Sequence, residues 1–150
     1  MDLIQRRNIM LTAQRANTIG DVLATTTLAE NAQNFAIDIP DDAFSKYNFL
    51  LVSYYLAPTP RMDWIYFCFN SFSTATTFGQ PYGNGQTVET GGGFILFKAE
   101  GGWRIGSNSG IGPIMAPAQS GNYAGINSYR GLDTNHYISA GSKLWLVGIK

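Results

Sequence analysis

The chain has 150 residues, with ten basic and ten acidic side chains and a formal net charge of zero. This balance argues against a nucleic-acid-binding domain, which needs a basic face to neutralise phosphates. Only 13% of the residues are charged, so we expect a polar but uncharged surface. Such a surface is typical of proteins that sit in large assemblies or present neutral faces to sugars.

Cysteine usage and hydropathy narrow the class further. The one cysteine, Cys68, excludes an intrachain disulfide, and its apolar neighbours predict a small buried side chain. No run approaches the roughly eighteen apolar residues of a membrane span, and no apolar segment follows Arg6 and Arg7 as it does in a signal peptide. We therefore expect a domain made in a cytoplasm that binds neither membrane nor nucleic acid.

The first twenty residues differ from the rest and are predicted to form an N-terminal attachment arm, residues 1–20. Asp2 and Gln5 have the spacing of a helix capping box. The apolar periodicity is poor, so a short helix and an extended arm remain equally open. The arm needs a partner surface, and the side chains predicted to serve in assembly are Leu3, Ile4, Arg6, Arg7, Ile9 and Leu11.

Short β-strands are predicted from residue 21 to the end, which we assign to one domain, residues 21–150. A threonine-rich strand is expected over 22–28. Phe35, Ile37 and Ile39 alternate with other residues, which predicts a strand with these three side chains facing the core. One helical turn is expected at 43–47.

The most apolar part of the chain runs from residue 48 to residue 70. Two strand-length runs flank Ala57-Pro58-Thr59-Pro60-Arg61, and two prolines this close together stop a helix. The pattern predicts a β-hairpin with a five-residue turn, at the centre of a sheet.

The second half of the chain predicts further strands separated by glycine-rich turns. Residues 94–97 are apolar at every position, as in a strand covered on both faces. Residues 99–102 predict a hairpin turn, 79–93 a glycine-rich loop with a possible short strand, and 143–149 a strand inside a sheet. Eight or nine such strands favour an all-β fold, a β-sandwich or jelly-roll-like domain, with a closed barrel as the alternative.

Catalytic patterns are weak. The one histidine, His136, has Asp133 nearby and Ser139 or Ser142 following, but no nucleophile-elbow motif is present. We therefore predict that the protein is not an enzyme. A glycan hydrolase that uses Asp133 or Glu100 is the remaining enzymatic alternative.

Metal and cofactor patterns are equally weak. One histidine and one cysteine are too few for a zinc site. The acidic residues at 38, 41 and 42 do not have the spacing of an EF-hand loop. We predict no metal and no cofactor.

Aromatic side chains in segments rich in Ser, Gly and Asn resemble a recognition surface, because rings give contact area and small polar residues give hydrogen bonds. The alternative is that these rings fill the ends of a sandwich or pack between subunits. The residues predicted to bind a glycan or a partner are Trp103, Tyr123, Tyr129, Tyr137 and Tyr82.

The two ends of the chain resemble proteins of bacteriophages. Residues 3–10, LIQRRNIM, are similar to the opening of many small phage and prophage proteins. Residues 138–150, ISAGSKLWLVGIK, resemble the closing strand of phage virion proteins, where a small-residue turn leads into an alternating strand. The resemblance covers only the ends. It implies a virion structural protein: a head decoration protein, a head fibre, or a tail or baseplate component.

The same resemblance implies how such a protein works. It is assembled in the host bacterial cytoplasm, located in the virion, and attached to the capsid or tail through its N-terminal arm. Its partners are other virion proteins and its own copies, in a homo-oligomer for which we favour a trimer. The functional alternative is a host-surface glycan-binding module for receptor binding or adhesion.

Overall fold

The structure is a computed structural model, and it describes residues 2–3, 20–59, 64–72, 78–81, 88–107, 110–129 and 135–150. None of the helices in these ranges could span a lipid bilayer. The elements are β1 Asp21–Thr27, β2 Asn34–Asp38, α1 Ala43–Lys46, β3 Phe49–Thr59, β4 Trp64–Phe69, β5 Phe78–Pro81, β6 Val88–Ala99, β7 Gly102–Ser107, β8 Gly110–Met115, β9 Tyr123–Tyr129 and β10 Lys143–Ile149.

The strands form two antiparallel sheets. The large sheet has six strands in the order β1-β10-β3-β6-β7-β8, and the small sheet has four in the order β2-β9-β4-β5. A β-bulge interrupts the pairing of β1 with β10 between Val22 and Ala24. The prediction of an all-β sandwich is confirmed.

The pairing has the nested order of a jelly roll. β1 pairs with β10, β2 with β9, β3 with β6, and β4 with β5, so that each pair is nested in sequence inside the one before it. Successive pairs alternate between the large and the small sheet. β7 and β8 form an additional hairpin after β6 and add two strands to the large sheet.

The core lies between the inner faces of the two sheets. Alternation in each strand turns one set of side chains inward, and large apolar residues of both sheets are fully buried there. The rings of Phe67 in β4 and Phe94 in β6 stack across the core with centroids 4.6 Å apart. A core of this kind explains why the chain holds its fold without a disulfide.

Buried polar groups at one end of the sandwich tie its loops together. The Asn122 side chain is 2% exposed. Its Oδ1 accepts hydrogen bonds from Asn70 Nδ2 at 2.7 Å and from the Ala118 backbone N–H at 2.8 Å, and its Nδ2 donates to the Ala118 carbonyl at 3.0 Å. These bonds join the end of β4 to the segment between β8 and β9.

Several local predictions are confirmed. Phe35, Ile37 and Ile39 are all buried, as their alternation predicts. Gly101 in the β6–β7 turn and Gly102 at the start of β7 both have positive φ. β10 lies between β1 and β3, inside the large sheet.

The predicted hairpin at residues 48–70 is wrong. Its two strands exist as β3 and β4, but β3 pairs with β6 and β10 in the large sheet, while β4 pairs with β5 and β9 in the small sheet. β3 also continues through Pro58 to Thr59. The pairing of β3 with β6 shifts register between Leu56 and Thr59, and a proline, which has no N–H, is tolerated at such an irregularity. The chain therefore crosses from one sheet to the other at this point.

Two predictions in the second half also need correction. The glycine-rich loop predicted over 79–93 is wrong at both ends, because β5 runs to Pro81 and β6 begins at Val88; residues 82–87 lie outside the described residues. Gly92 serves packing, because a Cβ there would lie 2.6 Å from the Tyr54 hydroxyl. Residues 94–97 are covered on one face only: Phe94 and Leu96 are buried, whereas Ile95 and Phe97 are only partly covered.

Candidate functional site

The outer face of the large sheet carries two rows of apolar side chains that run across its strands. Cross-strand pairing aligns 149, 49, 97, 104 and 114 in one row, and 22, 147, 51, 95, 106 and 111 in the next. Residues directly opposite each other share a face, so these rows are adjacent. We call the nine aliphatic and phenylalanine side chains of these rows the apolar face: Val22, Phe49, Leu51, Ile95, Phe97, Ile111, Ile114, Val147 and Ile149.

Four of the nine side chains of the apolar face are exposed, with Ile111 at 62% and Phe49 at 43%. The other five are partly covered: Leu51, Ile95, Phe97, Val147 and Ile149. A groove of about 570 Å³ runs between these side chains and is floored in part by Gly93 and Gly106. A Cβ at Gly106 would lie 3.2 Å from the ring of Phe97. Because Gly106 has no side chain, the Phe97 ring can lie over it and line the groove.

The apolar face has polar borders. The next row along the strands aligns Thr25, Trp145, Ser53 and Gly93. Arg104 lies within the first row, and it lines a second depression of about 430 Å³ together with Glu100. An apolar centre with a polar rim is the anatomy of a protein–protein contact surface.

The outer face of the small sheet is different and carries aromatic rings and amides. Trp64 in β4 is opposite Tyr129 in β9, and Tyr66 is opposite Asn127. The Trp64 and Tyr66 rings are 6.5 Å apart and nearly parallel, at 15°, and Tyr129 meets Tyr66 edge-on at 5.6 Å. We call Trp64, Tyr66 and Tyr129 the aromatic cluster.

Burial raises the pKa of Tyr66, and the neighbouring Tyr129 adds to the shift. The Tyr66 phenol therefore stays protonated well into the alkaline range and can donate a hydrogen bond at neutral pH.

The residues predicted to bind a glycan or a partner do not share one surface. Trp103 is only 3% exposed and lies edge-on against Phe44, which agrees with the alternative that this ring packs in the interior of the sandwich. Tyr123 is half-buried and stacks on Phe72. Tyr137 is half-buried beside His136 in the chain, and Tyr129 belongs to the aromatic cluster. Tyr82 lies outside the described residues.

The residues predicted for the assembly arm fall almost entirely outside the described ranges. Leu3 is described, and it is exposed. The others, Ile4, Arg6, Arg7, Ile9 and Leu11, lie outside the described residues, and their role in assembly stays a prediction.

His136 forms a hydrogen bond with Ser128, a serine that its sequence neighbourhood does not indicate. Ser128 Oγ is 2.9 Å from His136 Nδ1 and donates to the Gln33 carbonyl at 3.1 Å. The Gln33 carbonyl also accepts from the Ser128 N–H at 2.8 Å, so this arrangement ties the His136 ring to the backbone that precedes β2. Ser128 is also 1% exposed, so its hydroxyl is buried.

The serines predicted as possible partners of His136 hold loops together. Ser139 Oγ donates to the Pro58 carbonyl at 2.7 Å, and Ser142 Oγ donates to the Ser139 carbonyl at 2.7 Å while accepting from the Ala57 N–H at 3.0 Å. Asp133 lies outside the described residues. The bonds of Ser139 and Ser142 anchor the end of β3 to the turn before β10.

The described residues form no metal site, and the one thiol of the chain is buried. Within the described ranges, no three His, Cys, Asp or Glu side chains come together as a metal site requires. Cys68 is fully buried, and this burial raises its pKa to about 12. Its thiol is therefore not nucleophilic at neutral pH.

Sequence reasoning missed both the apolar face and most of the aromatic cluster. The signal for the cluster was present: Trp64 and Tyr66 alternate with Ile65 and Phe67, which places the two polar-tipped rings on one face and the two apolar side chains in the core. The apolar character of the whole run at 64–69 hides this alternation.

Comparisons with protein-family models, with curated proteins and with solved structures each find no match to this chain.

Proposed function

We propose that this protein is a structural component of a bacteriophage particle that works by association with other protein chains. The observation that carries the proposal is the apolar face of the large sheet. The resemblance of the two chain ends to phage virion proteins supports the choice of assembly. The jelly roll supports it by analogy only, because this architecture is used by viral capsid proteins and by lectins alike.

The size of the apolar face favours a partner. Six strands about 4.8 Å apart and about four residues along each strand give a patch of roughly 24 by 14 Å, or about 340 Å². This footprint is comparable to the largest apolar patch on a typical monomeric protein, and such a patch is often functional. Ile95 and Phe97, in a strand segment that is apolar at every position, would be fully covered by a second protein surface.

We assign the partner on this face to further copies of the same chain. The formal net charge of zero means that identical copies do not repel each other. Arg104 is the charged side chain within the two rows, so apolar rows can meet apolar rows. The assembly is a homo-oligomer, and we favour a trimer.

Gly20, the last residue of the predicted arm, lies beside this face. Gly20 precedes β1, and a Cβ there would lie 2.9 Å from Val147 and 3.1 Å from Ile149, both members of the apolar face. An arm that joins the domain at Gly20 can reach a neighbouring chain from the border of the contact surface. This placement supports the proposal that residues 1–20 attach the protein to other virion chains.

Light scattering on the purified full-length chain tests the association. We expect a stable oligomer, and we expect Leu51→Glu at the centre of the apolar face to shift it to monomer. Ser53→Glu, on the same strand and face but outside the two rows, is the matched control and should leave the mass unchanged. A monomeric wild type at high concentration, or an L51E protein of wild-type mass, contradicts the proposal.

The virion assignment has its own test. Mass spectrometry of purified particles from a phage that carries this gene should find the chain in stoichiometric amounts. Its absence from such particles would leave the oligomer in place but overturn the phage assignment.

A further inference from the structure

We propose that the aromatic cluster on the outer face of the small sheet is a binding site for a neutral oligosaccharide. This goes beyond the assembly function, because it assigns a ligand to the surface opposite the apolar face. The two outer faces of a sandwich point away from each other, so the oligomer can form on one side while the ligand binds on the other.

The rings give the site its apolar part. Trp64 is 39% exposed at the start of β4, and Tyr66 and Tyr129 lie beside it. A large ring held open to solvent by a rigid strand offers contact area at little entropic cost. The C–H face of a pyranose ring is the complementary surface, apolar and flat.

Amide side chains give the site its polar part. Asn127 is opposite Tyr66 in the small sheet, and Asn34 in β2 is opposite Asn127, so all three form one row. The Asn127 amide donates to the Phe72 carbonyl at 3.3 Å, which uses one of its two donors. Amides beside phenol groups provide both donors and acceptors, as sugar hydroxyl groups require.

The described residues of this surface favour an uncharged ligand. The row that aligns Asn34, Asn127 and Tyr66 carries no charged side chain. Asp38 is the nearest charged residue of β2 on the same face, four residues from Asn34 and so about 13 Å away. An anionic or cationic ligand would find no ion-pair partner in the described part of this row.

The ring geometry separates a sugar from a quaternary ammonium ligand. An aromatic cage for such a cation needs rings far enough apart to hold the cation between them. Here the parallel rings of Trp64 and Tyr66 are 6.5 Å apart, and Tyr129 is in edge contact with Tyr66 at 5.6 Å. The ligand must therefore lie on the cluster and not inside it, which suits a flat sugar ring.

Isothermal titration calorimetry on the full-length protein tests the site with cellohexaose, maltohexaose and fully N-acetylated chitohexaose, and with choline chloride as the cationic probe. We expect at least one neutral hexasaccharide to bind at millimolar or lower concentration. Trp64→Ala should weaken that binding at least tenfold, whereas Trp64→Phe, which keeps an aromatic face, should keep most of it.

Trp145→Ala is the matched control, since its indole is half-buried on the outer face of the opposite sheet and outside the apolar rows. It should bind like the wild type. Saturation-transfer NMR on the wild type gives a readout that needs no variant, with the strongest transfer to the C–H protons of the sugar. Three results overturn the proposal: no hexasaccharide bound at 5 mM, equal affinity of W64A, or binding of choline in place of the sugars.

Discussion

The ring of Tyr47 lies directly over Gly148. A Cβ atom added at Gly148 would come within 2.7 Å of three ring carbons of Tyr47. The ring cannot easily move aside, because its hydroxyl donates a hydrogen bond to Asp21 Oδ2 at 2.6 Å and the side chain is buried. This contact fixes the segment before β3 against the end of β10.

Replacing this glycine tests the contact. We expect Gly148→Ala to lower the free energy of unfolding by about 1–3 kcal/mol, as overpacking of a core does, measured by urea denaturation. Gly91→Ala is the matched control in the same sheet, because its Cβ would meet only the Tyr54 carbonyl oxygen at 3.4 Å. If adding Tyr47→Ala to G148A costs as much as Y47A costs alone in the wild type, the ring is not what the new methyl group strikes.

The buried amide of Asn122 makes a second prediction. Asn122→Ala leaves the Asn70 amide and the Ala118 backbone groups without their partner, so we expect a loss of about 2–4 kcal/mol in the free energy of unfolding. Asn31→Ala is the comparison, since this exposed amide accepts one bond, from the Ala140 N–H at 2.9 Å. Equal losses in the two variants would mean that burial does not set the cost.

The buried thiol of Cys68 gives a pH-dependent prediction. Its folded-state pKa of about 12 lies above that of an unfolded cysteine, about 8.5, so the unfolded chain loses the proton first. This contribution to stability is fully present below about pH 8.5 and is lost as the pH rises toward 12.

We therefore expect the wild type to lose about 1–2 kcal/mol more than Cys68→Ala between pH 8 and pH 10, in urea denaturation. The native thiol should also resist a disulfide reagent at pH 8 and react at once in guanidinium. Rapid reaction of the native protein would show that the thiol is accessible.

Deleting residues 1–19 tests the attachment arm. The first strand begins at Asp21 and Gly20 is kept, so we expect the thermal midpoint of the sandwich to stay within a few degrees of the full-length value. Incorporation into phage particles, followed by immunoblot, should be lost. Normal incorporation of the shortened chain would show that attachment lies elsewhere.

Local patterns in the sequence predict the strands well, because burial of one face imposes alternation on each strand separately. Phe35, Ile37 and Ile39 show this, and so do the glycines of the β6–β7 turn. The pairing of β3 with β6 and β10 could not be predicted in this way. Its partners are far along the chain, and two apolar runs joined by a turn look alike whether they pair or separate into two sheets.

The candidate surfaces were harder to predict than the strands. The all-apolar segment at 94–97 indicates two covered faces, and a single chain covers only one of them. Composition alone also cannot distinguish Trp103, which closes the core against Phe44, from Trp64, which faces solvent. The neighbouring strand decides the exposure of each ring, and that neighbour is set by the long-range pairing.

The two edge strands of the large sheet, β1 and β8, each have a feature that hinders pairing with a further strand. β1 carries a bulge between Val22 and Ala24, and β8 contains Pro113, which has no N–H to offer an incoming strand. Bulges and prolines at sheet margins prevent one sheet from extending into the next. If copies associate through the face of the large sheet, as proposed, the edges of that sheet should not join them into a continuous sheet strand by strand.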